Sequence, residues 1–306
     1  VAGKGVPASL IMVMVATIFR NFFNDWMEEQ KRKDAVAAGK GIRRQEEDPN
    51  IEELVYAVNG LVEERGFEGR FAALIVVLLD TRTGKAVLCN AGDNLVHLYS
   101  NQERRMTAKT LPEAPAAGVF PNDLVEMQAG FKRIPHVLKS GDLMLLYTDG
   151  LEEAQRILRD ENLKVIKDEN GEPGKEEFSN QRIYEVVNAL MSRGSFTLKK
   201  MHNPIPDEEL VFDFSTCQGT IEEVVIALVS IEKIFRMYPD PAATENDVVV
   251  VDRYIAEFLE EHFNQYEVYF HDPVENASVS AEYLQFSRIK EDSQYDDLTV
   301  LGVKKK

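Results

Sequence analysis

Apolar residues recur along this chain with two different spacings. Over residues 7–33 they dominate one long stretch, with Pro7 in a first turn where its missing N–H costs nothing, and the pattern predicts a single core helix. Its most apolar part, 10–19, is about half the length of a membrane span, and Arg20, Asn21 and Asn24 interrupt its continuation. Residues 31–49 are charged and contain alanine and glycine without an apolar period, which reads as a mobile connection or frayed helix end. Ile51, Leu54, Val55, Val58, Leu61 and Val62 then return at helical spacing and predict an amphipathic helix over 50–64. Runs at 71–79, 85–90 and 95–100, separated by the turn sequences at 80–84 and 91–94, predict a three-stranded antiparallel meander. Residues 101–141 suit short strands and loops.

In the second half, Leu143, Met144, Leu145 and Leu146 run into Tyr147 and Thr148 and stop at Asp149-Gly150, the pattern of a buried strand. The sequence reads as helical just beyond it. Residues 160–174 form a polar, turn-rich excursion, and helices are expected over 179–193, 220–237 and 248–263. An apolar, β-branched strand follows Asp296-Asp297 at the chain's end. Residues 195–280 read as an elaboration packed beside the core. Within it, 200–215 is a long connection or a surface for a partner. The pattern as a whole gives mixed α and β structure with antiparallel pairing.

At 306 residues and 44% hydrophobic, the chain can bury a substantial core as one large domain or two small ones. A net charge of -17 argues against nonspecific binding to nucleic acid or to an anionic membrane. A protein this acidic must invert its local field to act on phosphate. Cys89 and Cys217 lack CxxC spacing, which disfavours a disulfide framework or zinc site and fits a reducing compartment. The chain opens on a glycine-rich turn, without the basic and apolar runs of a signal peptide. His97, His136, His262 and His271 show no metal-ligand spacing and are assigned no chemistry.

Candidate chemistry lies at the ends of strands. Asp149 closes an apolar strand, and Gly150 lets the backbone turn sharply or approach a ligand. Asp-Gly in this position is commonly a turn, and a strand-end aspartate is also a natural ligand for a hard cation. Asp296 and Asp297 sit just before another strand, so two strands could bring acids to one point. Glu153, four residues beyond Asp149, can swing toward the same place. The opening loop before Pro7 can present N–H groups to an anion, or serve only as a tight turn, and it lacks the Gly-Lys-Ser/Thr ending of a P-loop.

AGKGVPASL at 2–10, AGDNLVHLY at 91–99, YTDGLEEA at 147–154 and QYDDLTVLGV at 294–303 together resemble the PPM-type metal-dependent protein serine/threonine phosphatases, in their bacterial SpoIIE/RsbU-like branch. The motifs occur in that family's order. The resemblance implies an α+β fold, an αββα sandwich of two antiparallel sheets flanked by helices, forming a single catalytic domain over 1–306. It implies two Mn2+ or Mg2+ ions, with Asp149 and Asp296 on one and the Val1 backbone carbonyl on the other, and Gly150 in the adjacent turn. A bridging aspartate and an earlier acidic motif would precede residue 1, so the domain is expected to be incomplete at its N-terminus. Asp93 and Glu153 match positions of an additional metal, although Asp93 stands where this branch usually has histidine and could be a structural turn. Lys4 could bind substrate phosphate or cap the helix as a solvated lysine. The partners implied are a phosphoprotein of the anti-anti-sigma type and an upstream sensor domain. A homodimer is compatible, and neither nucleic acid nor membrane is contacted by the domain itself. The expected location is the cytoplasm, with any membrane tether upstream. The gap of 147 residues between Asp149 and Asp296 exceeds the family's usual spacing. A noncatalytic interaction module on the same fold is the alternative.

Overall fold

The first helix runs past the end of its apolar period. Helix α1 covers Val6–Gly39, so 31–39, expected as a mobile connection or frayed helix end, continues the helix. Alanine, lysine and arginine there favour helix without needing a buried face. Lys33 pairs with Glu29 at i,i+4 and Lys31 with Glu28 at i,i+3, both at 2.7 Å. The helix stops at Gly39, two residues before Gly41 at φ +67°.

The protein, seen as a computed structural model, is described over residues 6–43, 47–65, 69–160, 162–198, 209–240, 242–244, 247–270, 282–294 and 296–306. After α1 the order is α2 (Ile51–Arg65), β1 (Leu74–Leu79), β2 (Lys85–Ala91), β3 (Leu95–Ser100), β4 (Arg105–Thr110), α3 (Asn122–Gln128), β5 (Ile134–Val137) and β6 (Leu143–Tyr147). Then come α4 (Asp149–Glu152), β7 (Gln155–Ile157), β8 (Lys175–Glu177), α5 (Ser179–Met191), β9 (Ser195–Leu198), β10 (Leu210–Asp213), α6 (Ile221–Arg236) and β11 (Met237–Pro239). The last elements are β12 (Val248–Asp252), α7 (Arg253–His262), α8 (Tyr266–Tyr269), β13 (Tyr283–Ser287), β14 (Ile289–Glu291) and β15 (Val300–Lys304). The strand pairs whose register is defined are antiparallel, and with the helices they make an α+β protein.

The chain divides into two compact units, Val1–Val96 with Lys109–Lys139, and His97–Ala108 with Ser140–Lys306. In the first, a sheet ordered β1-β2-β5 shares a core with α1 and α2, in which Ile11, Leu54, Val55, Val58 and Val62 pack with Val76, Cys89 and Phe131. Buried Asn59 donates to Phe120 O at 2.9 Å and Asn122 Oδ1 at 2.7 Å and accepts from Gly118 N at 2.8 Å, which satisfies its amide away from water. The expected β1-β2-β3 meander does not form. The partner of β2 on its other side is β5, while β3 pairs with β6. The 91–94 segment is no hairpin turn, because Gly92 at φ +87° lies so close to Ala116 that a Cβ would stand 2.7 Å from that side chain, and its N–H is taken by Ala114.

The second unit holds a four-stranded sheet ordered β15-β6-β3-β4. Its core runs without a break from Leu143 and Leu145 on β6 through Ile183, Val187 and Leu190 of α5 to Val224, Leu228 and Ile231 of α6 and on to Val249, Leu259 and Phe286. The described residues of 195–280 therefore contribute to one core with the site-bearing sheet, and α6 packs directly on β15 and α5. Thr220 and Glu223 close a capping box at the start of α6. The single helix expected over 248–263 is instead β12 and α7. Four valines favour strand at 248–251, and the Asp252 carboxylate then caps the helix by accepting Tyr254 N–H at 2.8 Å. Helix after Asp149 is likewise limited to α4, because Arg156 and Ile157 enter a ribbon with β8. Arg156 and Arg182 both pair with Glu176, both lie over the Phe235 ring of α6, and Arg159 donates to Asp292 at 2.9 Å. These buried pairs fix the ribbon's position more than they add stability.

Among the described residues, no helix is long and apolar enough to cross a membrane. The seating of α6 on β15 is testable. A Cβ on Gly302 would stand 2.3 Å from Ile221 Cδ1, so Gly302→Ala should cost about 1–3 kcal/mol in urea unfolding. Adding Ile221→Ala should recover part of that loss, whereas strictly additive costs would contradict the contact.

Candidate functional site

Strands β6 and β15 run antiparallel, with Tyr147 opposite Val300 and Leu143 opposite Lys304. The C-terminal end of β6 therefore meets the residues that lead into β15. Beyond the ladder the pairing continues through threonines. Thr148 N donates to Thr299 O at 3.1 Å, Thr299 N donates to Thr148 Oγ1 at 2.9 Å, and that hydroxyl donates to Asp297 O at 2.8 Å. Thr148 is the N-cap of α4 yet makes no side-chain cap bond there, because its hydroxyl oxygen accepts the Thr299 N–H while its proton goes to Asp297 O.

Gly150 is the point of closest approach. A Cβ on it would stand 2.4 Å from Asp297 O, closer than any side chain comes to backbone, and 3.0 Å from Asp296 O. Gln294 closes the other side by donating to Gly150 O at 3.2 Å. Asp149, the first residue of α4, is exposed, while Asp296 is half-buried and accepts Asp297 N–H at 2.8 Å. The two motifs read from the sequence are thus brought together.

Burial, and after it the carboxylates of Asp149, Glu177, Glu152 and Asp296, hold the Glu153 carboxyl above its ordinary range. No cation is among those influences. A point where several carboxylates face one another suits a hard divalent cation, which takes oxygen ligands. The acids fit such an ion in chemistry but not yet in number. Among the described residues, no group of three or more His, Cys, Asp or Glu side chains is placed to hold a metal ion.

Val1 and Lys4 lie outside the described residues, as does His271. Asp93 belongs to the first unit, where its carboxylate accepts Leu95 N–H at 3.1 Å in a local turn. Sequence reasoning did not single out Thr148, Thr299, Glu177 or Gln294. The threonines were visible inside YTDG and DDLT but carried no signal of bonding across strands. Glu177 reaches the acids through the β7-β8 pairing, where it stands opposite Gln155.

Fold and site together define an antiparallel α+β protein with paired acid motifs at the ends of adjacent strands. The model of the family described as Stage II sporulation protein E (SpoIIE) matches residues 1–194, and the chain belongs to that family. It therefore carries a phosphatase-family fold. No curated protein matches it. Solved structures similar to it include the RsbU and RsbW domains of Rv1364c from Mycobacterium tuberculosis, at 21% identity over 63% of this chain and 41% of that one, with a TM-score of 0.39. RsbX in complex with magnesium is 15% identical over 49% of this chain and 57% of that one, with a TM-score of 0.33. The PP2C phosphatase domain with a fragment of the regulatory domain of SpoIIE from Bacillus subtilis is 13% identical over 35% and 29%, with a TM-score of 0.29. The chain spans less than two thirds of the length of each of these.

The acid cluster sets a pH dependence. A carboxyl whose folded pKa is raised binds its proton more tightly in the folded chain, so ionised Glu153 costs stability above that pKa and costs nothing below the unfolded value near 4.5. Glu153→Gln should raise the Tm of the metal-free protein by about 1–2 °C at pH 7, a gain that fades as pH falls through that value. Calorimetry showing a loss at pH 7, or a gain undiminished at pH 4, would contradict the cluster's repulsion.

Proposed function

We propose that the chain is the output domain of a metal-dependent protein serine/threonine phosphatase acting on a regulatory phosphoprotein of the anti-anti-sigma type. One observation carries this reading: residues 147–150 and 296–299 meet at the ends of two paired strands, with a glycine at the contact. Asp149 and Asp296 would hold one divalent ion, Mn2+ or Mg2+, with the Val1 carbonyl a donor to a second and Glu153 a candidate for an additional one. Bound there, such ions lower the pKa of water and offset the charge of phosphate oxygens.

The chain's own part is positional and electrostatic. Thr148 and Thr299 hold the two segments in register, and Gly150 lets them close on each other. On a protein of net charge -17, the carboxylates repel a phosphate ester until they are neutralised. Water then attacks phosphorus in line, the bond from phosphorus to the serine or threonine oxygen breaks, and a proton from solvent completes the released hydroxyl. Inorganic phosphate leaves without a covalent enzyme intermediate. Lys4 is the candidate to meet the phosphate. Residues 195–280, N-terminal sensing segments and a cytoplasmic setting belong to the same reading, with recognition of the phosphoprotein assigned to residues 200–215, of which 200–208 lie outside the described residues.

The competing reading is a noncatalytic interaction module. It is favoured by the absence, among the described residues, of three ligand side chains around one point. Hydrolysis of p-nitrophenyl phosphate by the full-length protein separates the two. Loss of an outer-shell partner costs a metal site about 10–100-fold, and loss of a direct ligand should cost at least as much, so Asp149→Asn and Asp296→Asn should each lower Mn2+-dependent turnover by about a hundred-fold or more. Tm should not fall in either variant. Unchanged turnover would remove these acids from the site, and preference for bis-p-nitrophenyl phosphate would point to a phosphodiesterase.

A further inference from the structure

A second polar cluster lies beside the acids and is not used by the proposed chemistry. His97 on β3 is buried at 5% exposure, and its ring stacks on Tyr147 of β6 with centroids 4.3 Å apart. Its Nδ1 is 2.7 Å from the Tyr184 hydroxyl on α5 and 3.0 Å from the Tyr147 hydroxyl. Tyr147 in turn donates to Asn180 Oδ1 in the first turn of α5. With that hydroxyl proton committed to Asn180, the contact between Tyr147 and His97 requires the hydrogen on Nδ1, which serves the tyrosine oxygens as acceptors.

The start of α5 needs such an anchor. Its N-cap, Phe178, makes no side-chain cap bond, and Ser179 adopts φ +68°, a left-handed conformation costly for any residue but glycine. Strain of this kind persists only where surrounding contacts hold it. Ser179 also separates Glu177, one of the acids pressing on Glu153, from Asn180, which bonds to Tyr147 two residues before Asp149. A chain of contacts therefore runs from one carboxylate segment to the other through half-buried polar groups.

We propose that His97, Tyr147, Asn180 and Tyr184 are positioning residues, forming a part-buried polar latch around the buried His97 ring that ties the strained start of α5 to the end of β6. By doing so the latch sets where Asp149, Glu153 and Glu177 stand relative to one another. The proposal rests on the phosphatase reading only in what the acids are for. The latch itself is a statement about local order.

Amide hydrogen exchange and Mn2+ titration test it on Tyr147→Phe, Tyr184→Phe, His97→Leu and His97→Gln. The control variant is Val186→Ala, which trims an apolar core side chain of the same helix, compared at matched global stability. The phenylalanine and leucine variants should speed exchange at 148–154 and 177–181 by about ten-fold more than Val186→Ala does, the effect of losing one buried hydrogen bond. His97→Gln, which keeps an N–H donor, should retain most of the protection. The apparent Mn2+ midpoint should rise by a similar factor in the same variants. Exchange at 148–154 that rises no more than in Val186→Ala, or equal loss in His97→Gln and His97→Leu, would overturn the latch. A wild-type protein indifferent to Mn2+ would instead sink the phosphatase reading, while the exchange comparison would still decide this one.

Discussion

Like charges brought within about 4 Å repel by about 1 kcal/mol in water and about 4 kcal/mol at the effective dielectric near a protein surface, so acids do not gather unless something else holds them. Here that something is the joint between β6 and β15. Five residue pairs of ladder, the Thr148 to Thr299 exchange and the contact of Gly150 with the Asp297 carbonyl fix the backbone on both sides. Apolar burial backs the joint. Leu143 and Leu145 are fully buried on β6, and α6 lies against Gly302 on β15. Energy from the core is in this way converted into an electrostatically unfavourable arrangement that a cation would relieve.

The same logic explains why the long stretch between the two motifs does not separate them. The β7-β8 ribbon leaves the acids at Ala154 and returns at Glu177. Arg156 pins it to the ring of Phe235, Arg159 to Asp292 and the ring of Tyr238, and Arg182 of α5 pairs with Glu176 of the ribbon. Arg236 of α6 then donates to the Asp292 carbonyl at 2.7 Å, only four residues before Asp296. Each excursion of the chain is thus tied back near a motif. Described residues of α5, α6, β12, α7 and β13, between Asp149 and Asp296, share the core of the sheet that carries those acids.

Much of this was legible in the sequence where apolar period and motif agreed. The strand ending at Tyr147, the helices α2, α5 and α6 and the final strand fall where their spacing placed them. Reading failed where local chemistry outweighed the period. Residues 31–39, read as a connection or frayed helix end, continue α1 with ion pairs on its surface, and a run of valines turned an expected helix into β12 followed by α7. Strand pairing was the least visible, because nothing local to 91–94 says that Gly92 packs against Ala116 and sends β3 to another sheet. The acids at 149 and 296 could be named in advance. Glu177 and the threonine exchange could not, since both depend on partners chosen by the fold.

Paramagnetic relaxation by Mn2+ tests the central claim most directly. With substoichiometric Mn2+ added to the isotopically labelled protein, amide signals at 148–153 and 296–299 should broaden first and together, while those of β12 and β13 stay sharp. Broadening that begins elsewhere, or that reaches one of the two segments without the other, would contradict a shared cation site at the joint of β6 and β15.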